Sequence, residues 1–154
     1  AMIDLINREI QPDILHFCGG ETIETWASVL EKQPDRKIWQ TIGVPIDDPQ
    51  DESWKHRLDE CWGRDELEHI VLDGSKSGLA GGTGATFPHQ NVADHLGKDT
   101  ANVIIAGGLK PDNIQDILAI APWGGIDVSS GVESEKGIKS PDLIEALMSA
   151  IKKV

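Results

Sequence analysis

The sequence predicts an α/β fold of parallel strands flanked by helices, and three observations predict it. Short apolar runs alternate five times with segments of helical periodicity, the mark of repeated strand–helix units. The runs are apolar at successive positions instead of every second one, so both faces of each strand are covered, as in a parallel sheet. Loops rich in glycine and polar residues follow the C-terminal ends of the runs, whereas the return connections are plain. In such sheets function gathers on the C-terminal face.

Residues 2 to 10 carry Ile3, Ile6 and Ile10 on one helical face, and Pro12-Asp13 ends that segment. The chain therefore opens as if in the middle of an amphipathic helix. Ile14 to Cys18 is a short strand stopping at Gly19-Gly20, followed by a helix with apolar positions 23, 26, 27 and 30. A second strand, Lys37 to Val44, is enriched in Thr, Ile and Trp. Trp54, Leu58, Cys61 and Trp62 share a face of the next helix, and His69 to Asp73 forms the third strand. The glycine-rich loop from Gly74 to Phe87 excludes packed secondary structure, and loops of such length in compact domains are usually functional. A helix near 89–97 leads to a fourth strand, 102–106, and a helix over 111–120 leads to a fifth, 126–129. Ser140-Pro141 opens the last helix, with Pro where its missing N–H costs little.

The length suits one domain over residues 1–154, and 39% apolar residues suffice for a core. The net charge of −12, with no basic run, argues against nucleic acid or an anionic membrane as partner. No stretch has the apolar length to span a bilayer and no signal peptide is evident. Cys18 and Cys61 show neither metal nor disulfide spacing, which fits a reducing, cytoplasmic setting. Cys61 is expected in the core, and the five tryptophans between helices and strands.

Two strand ends dominate the chemistry. Ala106-Gly-Gly-Leu-Lys-Pro-Asp-Asn-Ile114 and Asp127-Val-Ser-Ser-Gly-Val-Glu133 each pass from an apolar run into glycine and small residues. Bare backbone N–H groups at such an end suit a phosphate, and two ends side by side would make one cup. The cup would be formed by Gly107, Gly108 and Leu109 with Ser129, Ser130 and Gly131. The plainer reading makes these glycines packing or turn residues.

These blocks, with Leu72-Asp73, Gly81-Gly-Thr-Gly-Ala-Thr-Phe87 and Gly137-Ile-Lys139, stand in an order that resembles the phosphoribosylanthranilate isomerase family. The resemblance runs from about residue 3 to the end. It implies a TIM-barrel type of (βα) fold in which the five units match the fourth to eighth strands, a partial barrel lacking the first three. The implied reaction is an Amadori rearrangement of N-(5′-phosphoribosyl)anthranilate in tryptophan biosynthesis, an isomerisation that needs neither cofactor nor metal. The implied partner is a small phosphorylated sugar.

On this resemblance Asp73 is the general acid that protonates the ring oxygen. Burial at the end of an apolar strand would raise its pKa, while the competing reading is a turn aspartate. Asp127 is placed near the substrate's amino group, with structural bracing as the alternative, and Gly82, Gly84 and Phe87 in the segment covering the substrate. The family's lysine and Asp-Trp positions here read Ala85 and Pro88-His89. Its base, a cysteine in a Lys-Ile-Cys-Gly motif, has no counterpart in these residues. His16 stands where the family has glutamine and Cys18 where it has histidine; both are expected to project into the barrel mouth. Cys18 is read as a small buried hydrophobe, with a catalytic thiolate beside His16 as the alternative. The chain is thus expected to be an incomplete isomerase that holds phosphate without turnover, or a non-catalytic sugar-phosphate domain. Its open sheet would self-associate or take a partner segment that completes the barrel.

Overall fold

The computed structural model describes residues 12–48, 50–75 and 87–152. Five parallel strands form one sheet: β1 (Ile14–Phe17), β2 (Lys37–Pro45), β3 (Leu67–Ser75), β4 (Val103–Ile105) and β5 (Gly125–Ile126). Helices α1 (Ile23–Leu30), α2 (Ser53–Cys61), α3 (His89–Leu96) and α4 (Ile114–Leu118) connect them in turn. The chain continues into a short antiparallel hairpin, β6 (Glu133–Glu135) with β7 (Ile138–Lys139), and ends in α5 (Pro141–Ile151).

The strand order β1-β2-β3-β4-β5 follows the sequence order. Consecutive parallel strands joined by crossovers of one hand put every helix on the same face, as in a (βα) barrel wall. The packing shows this division. Ile38, Ile42 and Val44 of β2, Ile70 and Leu72 of β3 and Val103 and Ile105 of β4 are buried with Trp26, Trp54, Leu58, Cys61, Val92, Ile114 and Leu147 from the helices. The alternate positions Val71, Ile104 and Ala106 form a separate cluster with Trp39 on the opposite, inner face. One polar side chain lies inside the helix-facing layer. Gln40 is fully buried and satisfied, its Oε1 accepting from Trp26 Nε1 at 2.8 Å and its Nε2 donating to the carbonyls of Thr41 (2.8 Å) and Phe17 (3.2 Å). It ties α1 to β1 and β2 and meets the requirement that buried amides be hydrogen-bonded.

The expected segment 2–10 lies outside the described residues, as does the loop 76–86. The fifth strand stops at Ile126 instead of 129, because the chain turns at Asp127 to build the hollow described below. The helix expected from 111 starts at Ile114, since Pro111–Asn113 form a turn. Cys61 is fully buried, and Trp26 and Trp54 are core residues. Cys18 is exposed and its thiol free, which corrects its reading as a buried hydrophobe: β1 ends at Phe17, and the residue beyond it has left the sheet. Ser140 caps α5, its Oγ accepting from Leu143 N at 3.3 Å with Pro141 in the first turn.

His89 is 5% exposed, its ring 4.1 Å from that of Phe87, and its Nε2 lacks a hydrogen-bond partner. Burial drives its pKa down to about 4 from 6.5, so the folded state holds the neutral ring. The resulting stability is complete above pH 6.5 and is lost as pH falls from there through about 4, by about 3 kcal/mol. Urea melts at pH 7 and pH 4 should show this loss, and His89→Phe should flatten that part of the profile. An equal slope in the variant would contradict it.

Candidate active site

Three strand ends meet at the C-terminal edge of the sheet. Asp73 projects from β3 onto the inner face, where Gly43 of β2 is its register partner. The chain leaving β4 is held to β3 by Ala106 N donating to Leu72 O at 2.8 Å, and the chain leaving β5 to β4 by Asp127 N donating to Ile105 O at 2.8 Å. Between them lies a hollow of about 130 Å³, lined by Asp73, residues 106–109 and residues 127–131. It contains Gly107, Gly108, Leu109, Ser129, Ser130 and Gly131, all six expected cup residues, together with both expected carboxylates, Asp73 and Asp127.

Glycine is what lets these ends approach. Gly107 has φ +79°, and a Cβ there would lie 2.5 Å from Asp73 Oδ1 and 2.7 Å from Gly74 N. Gly131 sits against the neighbouring turn so closely that a Cβ would meet Leu109 O at 1.7 Å. Asn113 staples the first turn, its Oδ1 accepting from Lys110 N at 2.8 Å and its Nδ2 donating to Gly108 O at 2.9 Å. Leu109 fills the core with its side chain, at 2% exposure, and presents only its backbone to the hollow.

Among the described residues, none of the backbone N–H groups of Gly107, Gly108, Leu109, Ser129, Ser130 and Gly131 is hydrogen-bonded to another protein atom. Among the described residues no Lys, Arg or His side chain lines the hollow. The polarity it offers an incoming group is thus that of amide N–H and serine hydroxyls, with two carboxylates at one side. Burial pushes the Asp73 carboxyl up from its ordinary value, and the nearby Asp127 pushes it further, against a backbone hydrogen bond at Gly74 that stabilises the anion. That favours the protonated acid, as the sequence suggested for a strand-end aspartate.

Other expected site residues lie elsewhere. His16 does point to the inner face, where its Nε2 is 2.7 Å from Thr41 Oγ1 and its ring is edge-on to Trp39. It is level with Trp39, which pairs with His69, four residues or roughly 13 Å short of Asp73 along β3. His16 therefore belongs to a deeper layer than the hollow, and neither it nor Cys18 lines it. Phe87, expected against a substrate ring, is 3% exposed in the main core, so its surface is already covered by protein. Gly82 and Gly84 lie outside the described residues. The sequence reading missed Asn113 and Lys139, which hold the two turns. Asn three residues after Lys110 was the available sign of an Asx-type staple.

Fold and site together define a (βα)-barrel-type domain with an amide-lined hollow at its strand C-termini. A profile of the N-(5′-phosphoribosyl)anthranilate (PRA) isomerase family matches residues 1–150, and the chain belongs to that family. The N-(5′-phosphoribosyl)anthranilate isomerase of Paracoccus denitrificans is 30% identical over 153 residues, which are 96% of this chain and 66% of that protein. That of Pseudomonas putida is 46% identical over 84 residues, 54% of this chain and 39% of that one. The chain thus spans less than two thirds of the length of these relatives. The phosphoribosyl anthranilate isomerase structure from Thermotoga maritima superposes with a TM-score of 0.71 at 24% identity, covering 99% of this chain and 68% of that one. Another, at 22% identity and TM-score 0.68, holds reduced 1-(o-carboxyphenylamino)-1-deoxyribulose 5-phosphate. Among the described residues no helix is long and apolar enough to cross a membrane.

Two substitutions test the geometry. Asp127→Asn should lower the Asp73 pKa by removing the adjacent like charge, read as the ¹³C carboxyl titration of Asp73; an unmoved midpoint would leave burial as the sole cause. Gly131→Ala should destabilise the fold by about 2 kcal/mol, since the methyl must displace the Leu109 backbone. An unchanged denaturation midpoint would mean that the turns are not interlocked.

Proposed function

We propose that the chain carries the phosphate-holding and acid side of an N-(5′-phosphoribosyl)anthranilate isomerase site. The observation that carries this reading is a hollow lined by six glycine, leucine and serine residues whose backbone N–H groups have no hydrogen-bond partner among the described residues, with Asp73 beside them. A phosphate monoester presents several acceptor oxygens at one point, which complements such a set and requires no cationic side chain. A hollow with two carboxylates and free amides also discriminates: the amides take the anion, and the carboxylates take groups that bring a proton or a donor.

In the proposed chemistry the 5-phosphate anchors in the turns 107–109 and 129–131, which sets the ribose across the strand ends. Asp73, whose pKa burial and Asp127 raise, gives its proton to the furanose oxygen as the C1–O bond breaks. The ring opens to an iminium, and loss of the C2 proton to a base gives the enolamine, which tautomerises to the 1-deoxyribulose product. Asp127, as a carboxylate, accepts a hydrogen bond from the substrate's amino nitrogen and stabilises the positive charge developing there. The base for C2 is the part that none of the hollow-lining residues supplies: Asp73 is the acid, Asp127 faces the amine, and Cys18 is remote from the lining.

The expected result for the purified 154-residue chain is therefore binding without turnover. Ribose 5-phosphate should bind at least tenfold more tightly than ribose by isothermal titration calorimetry, a difference of about 1.4 kcal/mol, and the anthranilate adduct should not be isomerised. Equal affinity for the two sugars would remove the phosphate-holding role. Turnover abolished by Asp73→Asn but not by Cys18→Ser would show that the base lies among residues not assigned above.

A further inference from the structure

The turn that supplies half of the hollow carries little regular structure. β5 ends at Ile126, Asp127 N is bonded to Ile105 O, and the chain passes through one 3-10 turn, Ser130–Val132, to the hairpin at Glu133. Lys139 on β7, ten residues from Ser129, braces it from the other side. Its Nζ donates to Ser129 O at 2.8 Å, to Ser129 Oγ at 3.2 Å and to Glu133 Oε1 at 2.7 Å. An ammonium has three N–H donors, and all three are accounted for. Glu133 in turn accepts from Gly137 N at 2.9 Å, so the carboxylate is anchored by the hairpin turn, where Gly137 has φ +82°. The contacts from Lys139 and the Gly137 amide hold the Glu133 carboxyl below its ordinary pKa, as expected for a permanent ion pair.

Two consequences follow from this donor count. Lys139 has no N–H left for a phosphate oxygen, and its charge is matched by Glu133. Ser129 Oγ uses a lone pair to accept from the ammonium, so its own O–H proton is directed away from Lys139. Ser129 is part of the hollow's lining, and an O–H that accepts a charged hydrogen bond becomes a stronger donor in its turn. The same bonds fix the peptide carbonyl of Ser129, and with it the orientation of the Ser129–Ser130 peptide, both of whose residues line the hollow.

We infer that Lys139 is a positioning residue of this site: a clip from the β6–β7 hairpin that orients the Ser129 hydroxyl and the Ser129–Ser130 peptide toward a phosphate oxygen, and not the counter-ion of that phosphate. The inference deepens the proposed function and rests on it for the identity of the ligand. The clip itself is a property of the free protein and is tested separately.

The test uses the whole chain, with inorganic phosphate as the probe. Five proteins are compared by calorimetry: the parent, Lys139→Met, Ser129→Ala, the double variant, and Lys139→Arg as the conservative replacement. Lys139→Met is expected to weaken phosphate binding about tenfold and Ser129→Ala by a similar factor. The double variant should be little weaker than either, because one substitution acts through the other. Lys139→Arg should recover most of the loss. If Lys139 were the counter-ion, the two losses would multiply and affinity in the parent would fall with ionic strength in step with one lost charge contact; either result overturns the inference. Amide hydrogen exchange without ligand supplies the independent arm. The clip predicts faster exchange at Ser130 to Val132 in Lys139→Met, with the helix amides unchanged. Unaltered exchange there overturns the clip, whatever the binding data show. Failure of the parent to bind phosphate, with exchange altered as predicted, refutes the functional reading and leaves the clip standing.

Discussion

The site depends on how closely three strand ends can approach one another. Gly107 lies against Asp73 and Gly74, and Gly131 lies against the carbonyl of Leu109, at distances no side chain tolerates. These contacts bring the turn after β4 against the end of β3 on one side and the turn after β5 on the other. Backbone polar groups are obligatory hydrogen-bonding groups. Holding six N–H groups at one place without partners among the described residues leaves a strong demand for acceptor atoms. The glycines thus create both the space and the demand, and the polar side chains of Asn113 and Lys139 keep the turns from collapsing to satisfy it.

The same compactness explains how an acidic protein can present an anion site. Net charge sets the long-range field, but a phosphate in the hollow meets local dipoles at contact distance, where they outweigh distant charges screened by solvent. Asp127 at the rim makes Asp73 harder to ionise. Asp73, the more enclosed, gains a raised pKa from that arrangement. On the proposed reading, proton donation and anion binding fall to neighbouring parts of one pocket, both held by backbone geometry.

Much of this was legible in the sequence. The strands showed as apolar runs because helices and the inner layer bury them on both sides; the order of units implied a parallel sheet flanked by helices, and the family resemblance implied the barrel. The two glycine turns and the two carboxylates singled out in the sequence come together around one hollow, because each stands at or just past a strand end. What escaped depends on contacts between segments. The hairpin of Glu133 to Lys139 has strands of only three and two residues with a single apolar side chain, Ile138, too short to show an alternating pattern. Lys139 could not be assigned because its partners are defined by a turn ten residues away. Phe87 was misplaced for the opposite reason: an aromatic beside a glycine-rich loop reads as a ligand contact, but its neighbours in space are core residues. Cys18 was expected to be buried because free cysteine usually is, whereas β1 ends one residue before it.

The open questions of activity and completeness come second to whether the two turns act as one receptor. A titration of ¹⁵N-labelled chain with inorganic phosphate addresses this directly. The amide signals of Gly107, Gly108, Ser130 and Gly131 should move together, along curves described by a single dissociation constant, while those of the β1 region stay in place. Signals from only one turn moving, or the two turns responding with different constants, would show that they do not share a ligand and would contradict the account.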